Sequence, residues 1–235
     1  MYYEGNSENE IRRNLIQQEN IYLSAGSVYN WVRRFTSLAV QEASNHIPKV
    51  GRQWVADESA MILVGKNVWF WDIIDKDTRF LITSSMVFDR TVKDAQDLMK
   101  RAYERTKLIP GVIYTDKLAT YLNSIEPASC MEIEHEQGSS FNIENNTYLI
   151  ELFHATVKER TKAMHGLRSL DTIRRFMEGW LVHYNYFKPH TSLAGKTPAE
   201  LAEVNFPFRN WKEVTEQPYE KTARIPVDPM SSKDT

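Results

Sequence analysis

Residues 53–75 read QWVADESAMILVGKNVWFWDIID. Two runs rich in Val, Ile, Trp and Phe stand on either side of Gly65 and Lys66, the pattern of a β-hairpin. In VWFWDII, residues 68–74, both alternating sets of side chains are largely apolar, so this strand is expected to be covered on both sides. DKDT at 75–78 reads as the turn into a third strand, RFLITSS. Thr91 and Asp94 form a helix start, and Ala95, Leu98, Met99 and Ala102 supply the apolar stripe of a helix reaching about Thr106. Pro110 ends the connection and GVIYT follows as a short strand. Three strands, a helix and a fourth strand predict an α/β domain in which helices flank a mixed sheet.

Upstream, Ser7 and Glu10 have the spacing of a capping box, with Ile11 and Leu15 following at helical intervals. A second helix starts at Ser24. Val28, Trp31, Val32 and Phe35 make its apolar stripe and leave Ser27, Tyr29, Asn30, Arg33 and Arg34 on the other faces. Such a pair suits a helix-turn-helix with an outward polar face, and equally a plain helical hairpin packed on the main domain. NHIPKVGRQ, 45–53, has the composition of a linker. Beyond residue 116 the pattern predicts a helix around Leu118 to Leu122. An irregular stretch at 125–146 follows, with a short strand near Met131. Helices at 147–162 and 170–186 come next, then a loosely attached tail from about Gln217.

The chain has 235 residues and a net charge of -2. No run of 18 apolar residues is present and the start MYYEGNSENE lacks the form of a signal peptide, so a soluble, intracellular protein without a membrane partner is expected. Cys130 is the sole cysteine, which excludes an internal disulfide and a zinc site of paired cysteines. Near-neutral charge argues against a surface that binds nucleic acid everywhere. Locally the balance differs: between Lys158 and Arg175 stand Lys158, Arg160, Lys162, Arg168, Arg174 and Arg175 against Glu159 and Asp171. That segment fits a solvated helix face or a track for phosphates.

Asp57 closes WVAD on the first strand and Asp116 closes VIYTD on the fourth. Ligands gather at strand ends in open sheets of this type, although an Asp there also commonly caps a turn. Two acids at neighbouring strand ends suit Mg²⁺, which prefers carboxylate oxygen. A third acid on a nearby helix would complete a two-metal site. The stretch NNTYLIELFHATVKER supplies one: Glu151, His154 and Lys158 share a helix face, opposite Leu149, Ile150, Phe153 and Val157. That stripe suits a site for metal and phosphate, and it also suits a solvated face; spacing alone does not decide between them.

Taken together, VADES, YTDK and NTYLIELFH with its trailing Lys158 resemble the catalytic core of DDE-type insertion-sequence transposases, kin to retroviral integrases with a ribonuclease H-like fold. Between Asp116 and Glu151 lie 34 residues, as in that group. WFWDIIDKDTRF, TKAMHGLRS and HYNYFKPHTSLAGKTPAEL extend the resemblance over Trp54 to Leu201, and SVYNWVRRF is similar to the second helix of the family's helix-turn-helix. The resemblance implies a small helix-turn-helix-like module at 1–44, a catalytic core at 54–204 and a partly disordered extension at 205–235.

It further implies that Asp57, Asp116 and Glu151 are catalytic and bind Mg²⁺, with Mn²⁺ as a substitute. DNA would be contacted by Lys158, His154, Arg160, Lys162 and Arg168, and by Asn30, Arg33 and Arg34 of the helical module. His154 fits contact with DNA, orientation of Glu151, or plain packing. Glu58, next to Asp57 on a strand, should point to the opposite face. The implied activity is cleavage of transposon ends and their transfer to target DNA by a homo-oligomer in a prokaryotic cytosol or nucleoid. Two departures bear on DNA contact: Leu152 and Lys188 stand where many relatives carry Arg. Relatives often begin with a zinc-binding segment, so the expectation is of a shortened transposase. Two other readings stay open: a transposase-derived DNA-binding protein without activity, and a ribonuclease H-like nuclease that only hydrolyses.

Overall fold

The computed structural model describes residues 1–63, 66–88, 90–115, 134–136, 154–158 and 170–217. The hairpin is present. Strand β1, Gln53–Leu63, runs antiparallel to β2, Lys66–Asp75, in a register that sets Leu63 opposite Lys66 and Asp57 opposite Asp72. Lys66 therefore already belongs to the second strand. β3, Leu81–Val87, pairs antiparallel to β2, with the register shifting between Ile73 and Ile74. β4, Val112–Tyr114, lies parallel to β1 on its other side, and β5, Glu134–Glu136, lies parallel to β4. The sheet order is β3-β2-β1-β4-β5. β5 begins three residues after Met131, near which a short strand is expected from the sequence; Met131 itself lies outside the described residues.

The sheet is covered on both faces, as the doubly apolar β2 requires. Trp54 and Ala56 of β1 and Trp71 and Ile73 of β2 face a core built with α3, Val92–Thr106, through Ala95, Leu98, Met99 and Ala102. Both halves of the capping box between Thr91 and Asp94 form at the start of α3. On the other face Val55, Val68, Phe70, Ile74 and Leu81 pack against Val157 of a helical stretch at 154–158, here α4. Ile173, Phe176, Met177 and Trp180 of α5, Leu170–Val182, complete that side. A π-helical turn, His183–Phe187, continues α5, and buried Asn185 within it hydrogen-bonds both backbone groups of Leu81 on edge strand β3.

The N-terminal helices are α1, Glu8–Glu19, with the Ser7 and Glu10 capping box in place, and α2, Ala25–Ser44, capped by Ser24. α2 packs on α5 and on α7, Trp211–Thr215. Its buried positions are Val28, Thr36, Ala39 and Ala43, and the last two belong to the same core as α3. Trp31, read from the sequence as part of the apolar stripe, is instead 42% exposed. The positions that meet the domain are Val28, Thr36, Ala39 and Ala43, with Phe35, Leu38 and Val40 packed partly buried against the first core. Tyr3 reinforces the junction: its hydroxyl meets Thr36 Oγ1 at 2.5 Å and its ring stacks on Trp211 at 4.8 Å.

The stretch 45–53, read as a linker, is tied down. Lys49 N–H donates to the Ala202 carbonyl, just past the short helix α6, Pro198–Leu201, and Gly51 N–H donates to Asp75. Phe206, Phe208, Trp211 and Val214, beyond the expected core, also pack on the first core. The helix expected at 118–122, most of 125–146 and the tail after Gln217 lie outside the described residues. Among the described residues no helix is long and apolar enough to cross a membrane.

Candidate active site

β1 places Asp57 and Glu58 on opposite faces of the sheet, as strand pleating demands. Glu58 turns toward the α3 side, where its buried carboxylate accepts from Arg90 at 2.9 Å, and the Arg90 guanidinium lies over the Trp69 ring at 4.0 Å. It has no access to the Asp57 face.

Asp57 shares its face with Val55 and with Asp72 on the adjacent strand. The Asp57 side chain is 12% exposed. Asp72 is fully buried between Phe70 and Ile74 on its strand. His154 on α4 stands over both: its Nε2 lies 2.7 Å from Asp72 Oδ2 and its Nδ1 lies 3.6 Å from Asp57 Oδ2. A carboxylate accepts, so the short contact is assigned with Nε2–H as donor to Asp72. The second contact is too long for a hydrogen bond and is a close polar approach. Val157, one turn along, sits in the apolar core beneath and anchors α4 to the sheet.

His154 is thus buried between two carboxylates, whereas Lys158, four residues later, is exposed. In the N-terminal helices Asn30 is exposed, while Arg33 and Arg34 are partly buried, with guanidinium groups 5.7 Å from the Tyr29 ring centre and 5.3 Å from that of Phe35. Asp116, Glu151, Arg160, Lys162 and Arg168 lie outside the described residues. Among the described residues no three His, Cys, Asp or Glu side chains come together in a metal-binding group.

Sequence reading overlooked Asp72. The available signal was an acid in the middle of a strand apolar on both faces, a position where an unpaired carboxylate is costly. A second acid, Asp75, closes β2 by accepting from the N–H of Gly51 and from the N–H and hydroxyl of Thr78. Burial raises its pKa above the ordinary carboxylate value, against the effect of those hydrogen bonds. Its role is to hold the turn.

A family model of a DDE domain, that of IS240-type transposases, matches residues 51–190. The catalytic core domain of HTLV-2 integrase in complex with magnesium, in its trimeric form, superposes with a TM-score of 0.51 at 16% identity, covering 66% of this chain and 97% of that one. The dimeric form of the same domain gives 0.49 at 15% identity, covering 66% and 96%. The simian T-cell lymphotropic virus intasome with PP2A regulatory subunit B56 gamma gives 0.49 at 14%, covering 80% and 60%. No curated protein matches by sequence. Sheet order, the helices on both faces and the extent of the match agree: the chain belongs to the DDE transposase family and has a ribonuclease H-like core.

Proposed function

We propose that this protein cuts the ends of an insertion sequence and transfers them to target DNA, using Asp57, Asp116 and Glu151 as its catalytic acids. The observation that carries the reading is the register around Asp57. Parallel strands β1 and β4 pair Val55 with Tyr114. In sequence Asp57 stands two residues after Val55, and Asp116 two residues after Tyr114. Asp57 also lies beneath α4, whose first described residue is three positions after Glu151 in sequence.

The donor set fits a hard divalent cation. Three carboxylates offer oxygen ligands suited to Mg²⁺ or Mn²⁺, and Asp57 keeps part of its side chain open. When bound, two such ions lower the cost of charge on the attacking and leaving oxygens of an in-line phosphoryl transfer. The chain's own part is to hold those carboxylates on rigid elements and to grip DNA. Lys158, exposed on the helix that follows Glu151, suits a phosphate beside the scissile bond. Arg160, Lys162 and Arg168 extend the basic track, and Asn30, Arg33 and Arg34 provide polar contacts from α2. In the joining step a DNA 3′-hydroxyl attacks a target phosphodiester, one P–O bond forms as another breaks, and the displaced 3′-oxygen leaves. No covalent bond to the protein is required. Joining two ends calls for self-association on DNA, in a prokaryotic cytosol or nucleoid.

The test is cleavage and strand transfer on labelled DNA carrying the element's own ends, with Mg²⁺ or Mn²⁺, for wild type and Glu151→Gln. Joined products that disappear in the variant support the proposal. Cut but unjoined DNA would indicate a hydrolytic nuclease, and equal DNA binding without product from either protein would indicate a binding protein.

A further inference from the structure

We propose that Asp72 is a positioning residue for the metal site: through His154 it fixes α4 against β1 and thereby the relation of the Asp57 carboxylate to that helix. This inference rests on the metal-dependent reading given above, and it concerns a residue outside the acid triad.

Asp72 is a poor choice for packing. It is 0% exposed between Phe70 and Ile74, and among the described residues its Oδ1 has no hydrogen-bond partner and its Oδ2 meets only His154. Burying a carboxylate costs several kcal/mol, about what a well-placed partner returns, so an apolar residue of similar volume would serve the core at least as well. What an apolar residue could not do is hold the imidazole. With Nε2 held at 2.7 Å by Asp72, the ring plane is fixed and Nδ1 is directed at Asp57 Oδ2, 3.6 Å away.

The geometry is that of an outer partner orienting the groups around a metal ligand. Asp72 and Asp57 are cross-strand partners, so the spacing between them is set by the backbone ladder itself. His154 spans that fixed pair from above. Any slide or rotation of α4 along the sheet must break the 2.7 Å contact, a directional constraint added to the apolar packing of Val157. Directional bonding to a buried anion gives α4 one seat, and the residue three positions before His154 in sequence is Glu151.

The test is calorimetric titration of Mn²⁺ into the chelator-treated full chain. Wild type, Asp72→Ala, Asp72→Asn and His154→Gln are compared, with circular dichroism to verify folding and metal-free DNA binding measured alongside. Asp72→Ala is expected to weaken Mn²⁺ binding about 10-fold or more without changing metal-free DNA affinity, and Asp72→Asn, which keeps an acceptor for the imidazole, to recover most of the loss. Mn²⁺ affinity within about twofold of wild type in Asp72→Ala, while wild type binds normally, would overturn the inference and leave the metal reading intact. A wild type that takes up no Mn²⁺ would overturn the metal reading itself. Should Asp72→Ala not fold, His154→Gln decides between the same outcomes.

Discussion

Replacing Gly179 by alanine asks whether the N-terminal helices are docked on the catalytic core or only tethered to it. Gly179 lies on α5 where Tyr3 and α2 press closest. A Cβ added there would collide with the Tyr3 hydroxyl and its ring carbon and would come within 2.8 Å of Thr36 Cγ2. Tyr3 has little room to retreat, because it is buried, hydrogen-bonded to Thr36 and stacked on Trp211. Two opposing terms fix the outcome. Alanine favours a helix over glycine by about 0.5–1 kcal/mol. Overpacking a filled site costs about 1–3 kcal/mol, and expelling Tyr3 would add a lost hydrogen bond of about 1 kcal/mol. The net expectation is destabilisation of about 1–2 kcal/mol, or a fall in Tm of roughly 2–8 °C for a chain of this length. Urea unfolding followed by tryptophan fluorescence measures it, since Trp180 and Trp211 border the contact. Adding Tyr3→Phe to the Gly179→Ala variant should recover part of the loss, because it removes the atom that collides first. Were the helices merely tethered, helix propensity would act alone and Gly179→Ala would stabilise the protein by about 0.5–1 kcal/mol. The sign of the change therefore decides, and a rise in stability refutes the docked arrangement.

Asn185→Ala removes the clasp on edge strand β3, leaving the N–H and C=O of Leu81 without their side-chain partners. Two lost hydrogen bonds in a buried setting predict about 2–4 kcal/mol of destabilisation, read as a lower urea midpoint with unchanged slope. His190 supplies a pH dependence. Burial first, then the nearby charges of Lys188 and Arg79, holds its pKa below the usual 6.5, against a hydrogen bond to the Tyr184 carbonyl. The unfolded chain then binds the proton more readily than the folded one. Its contribution is whole above pH 6.5 and is lost as pH falls from there through the folded value. Wild type should lose more stability than His190→Asn between about pH 8 and pH 5.5, and equal losses in the two proteins would refute the assignment.

The elements legible in the sequence are those set by local pattern. Ser7 with Glu10 and Thr91 with Asp94 cap helices because the bonds involved span three residues. β1 and β2 announce themselves by β-branched and aromatic runs on either side of a short break. The docking of α2 was harder to see. A hydrophobicity stripe ranks Trp31 above Ala39 and Ala43, yet Trp31 is exposed while both alanines are buried, and the surfaces that α2 packs on, α5 and α7, lie far along the chain. The pairing of Asp72 with Asp57 was half visible, since a short hairpin connection fixes its register. His154 closes that group from 82 residues further along the chain, a juxtaposition that no periodicity contains.

Asp57 and Glu58 show how one dipeptide serves chemistry and folding without conflict. Composition treats the two acids alike, and either could have been the catalytic one by spacing to within a residue. The strand separates them, because adjacent side chains leave by opposite faces. Glu58 enters the α3 side, where Arg90 answers its charge and Trp69 supports the guanidinium, so its carboxylate is committed to holding the start of α3 against the sheet. Asp57 enters the side where α4 and α5 cover the sheet, where His154 Nδ1 approaches it at 3.6 Å and its side chain is 12% exposed. A one-residue slip of β1 would exchange the two, placing Asp57 against Arg90 and Glu58 beneath His154. The Asp57–Asp72 register is therefore as much a part of the proposed active site as the acids are, and it is held by the two apolar cores on either side of the hairpin.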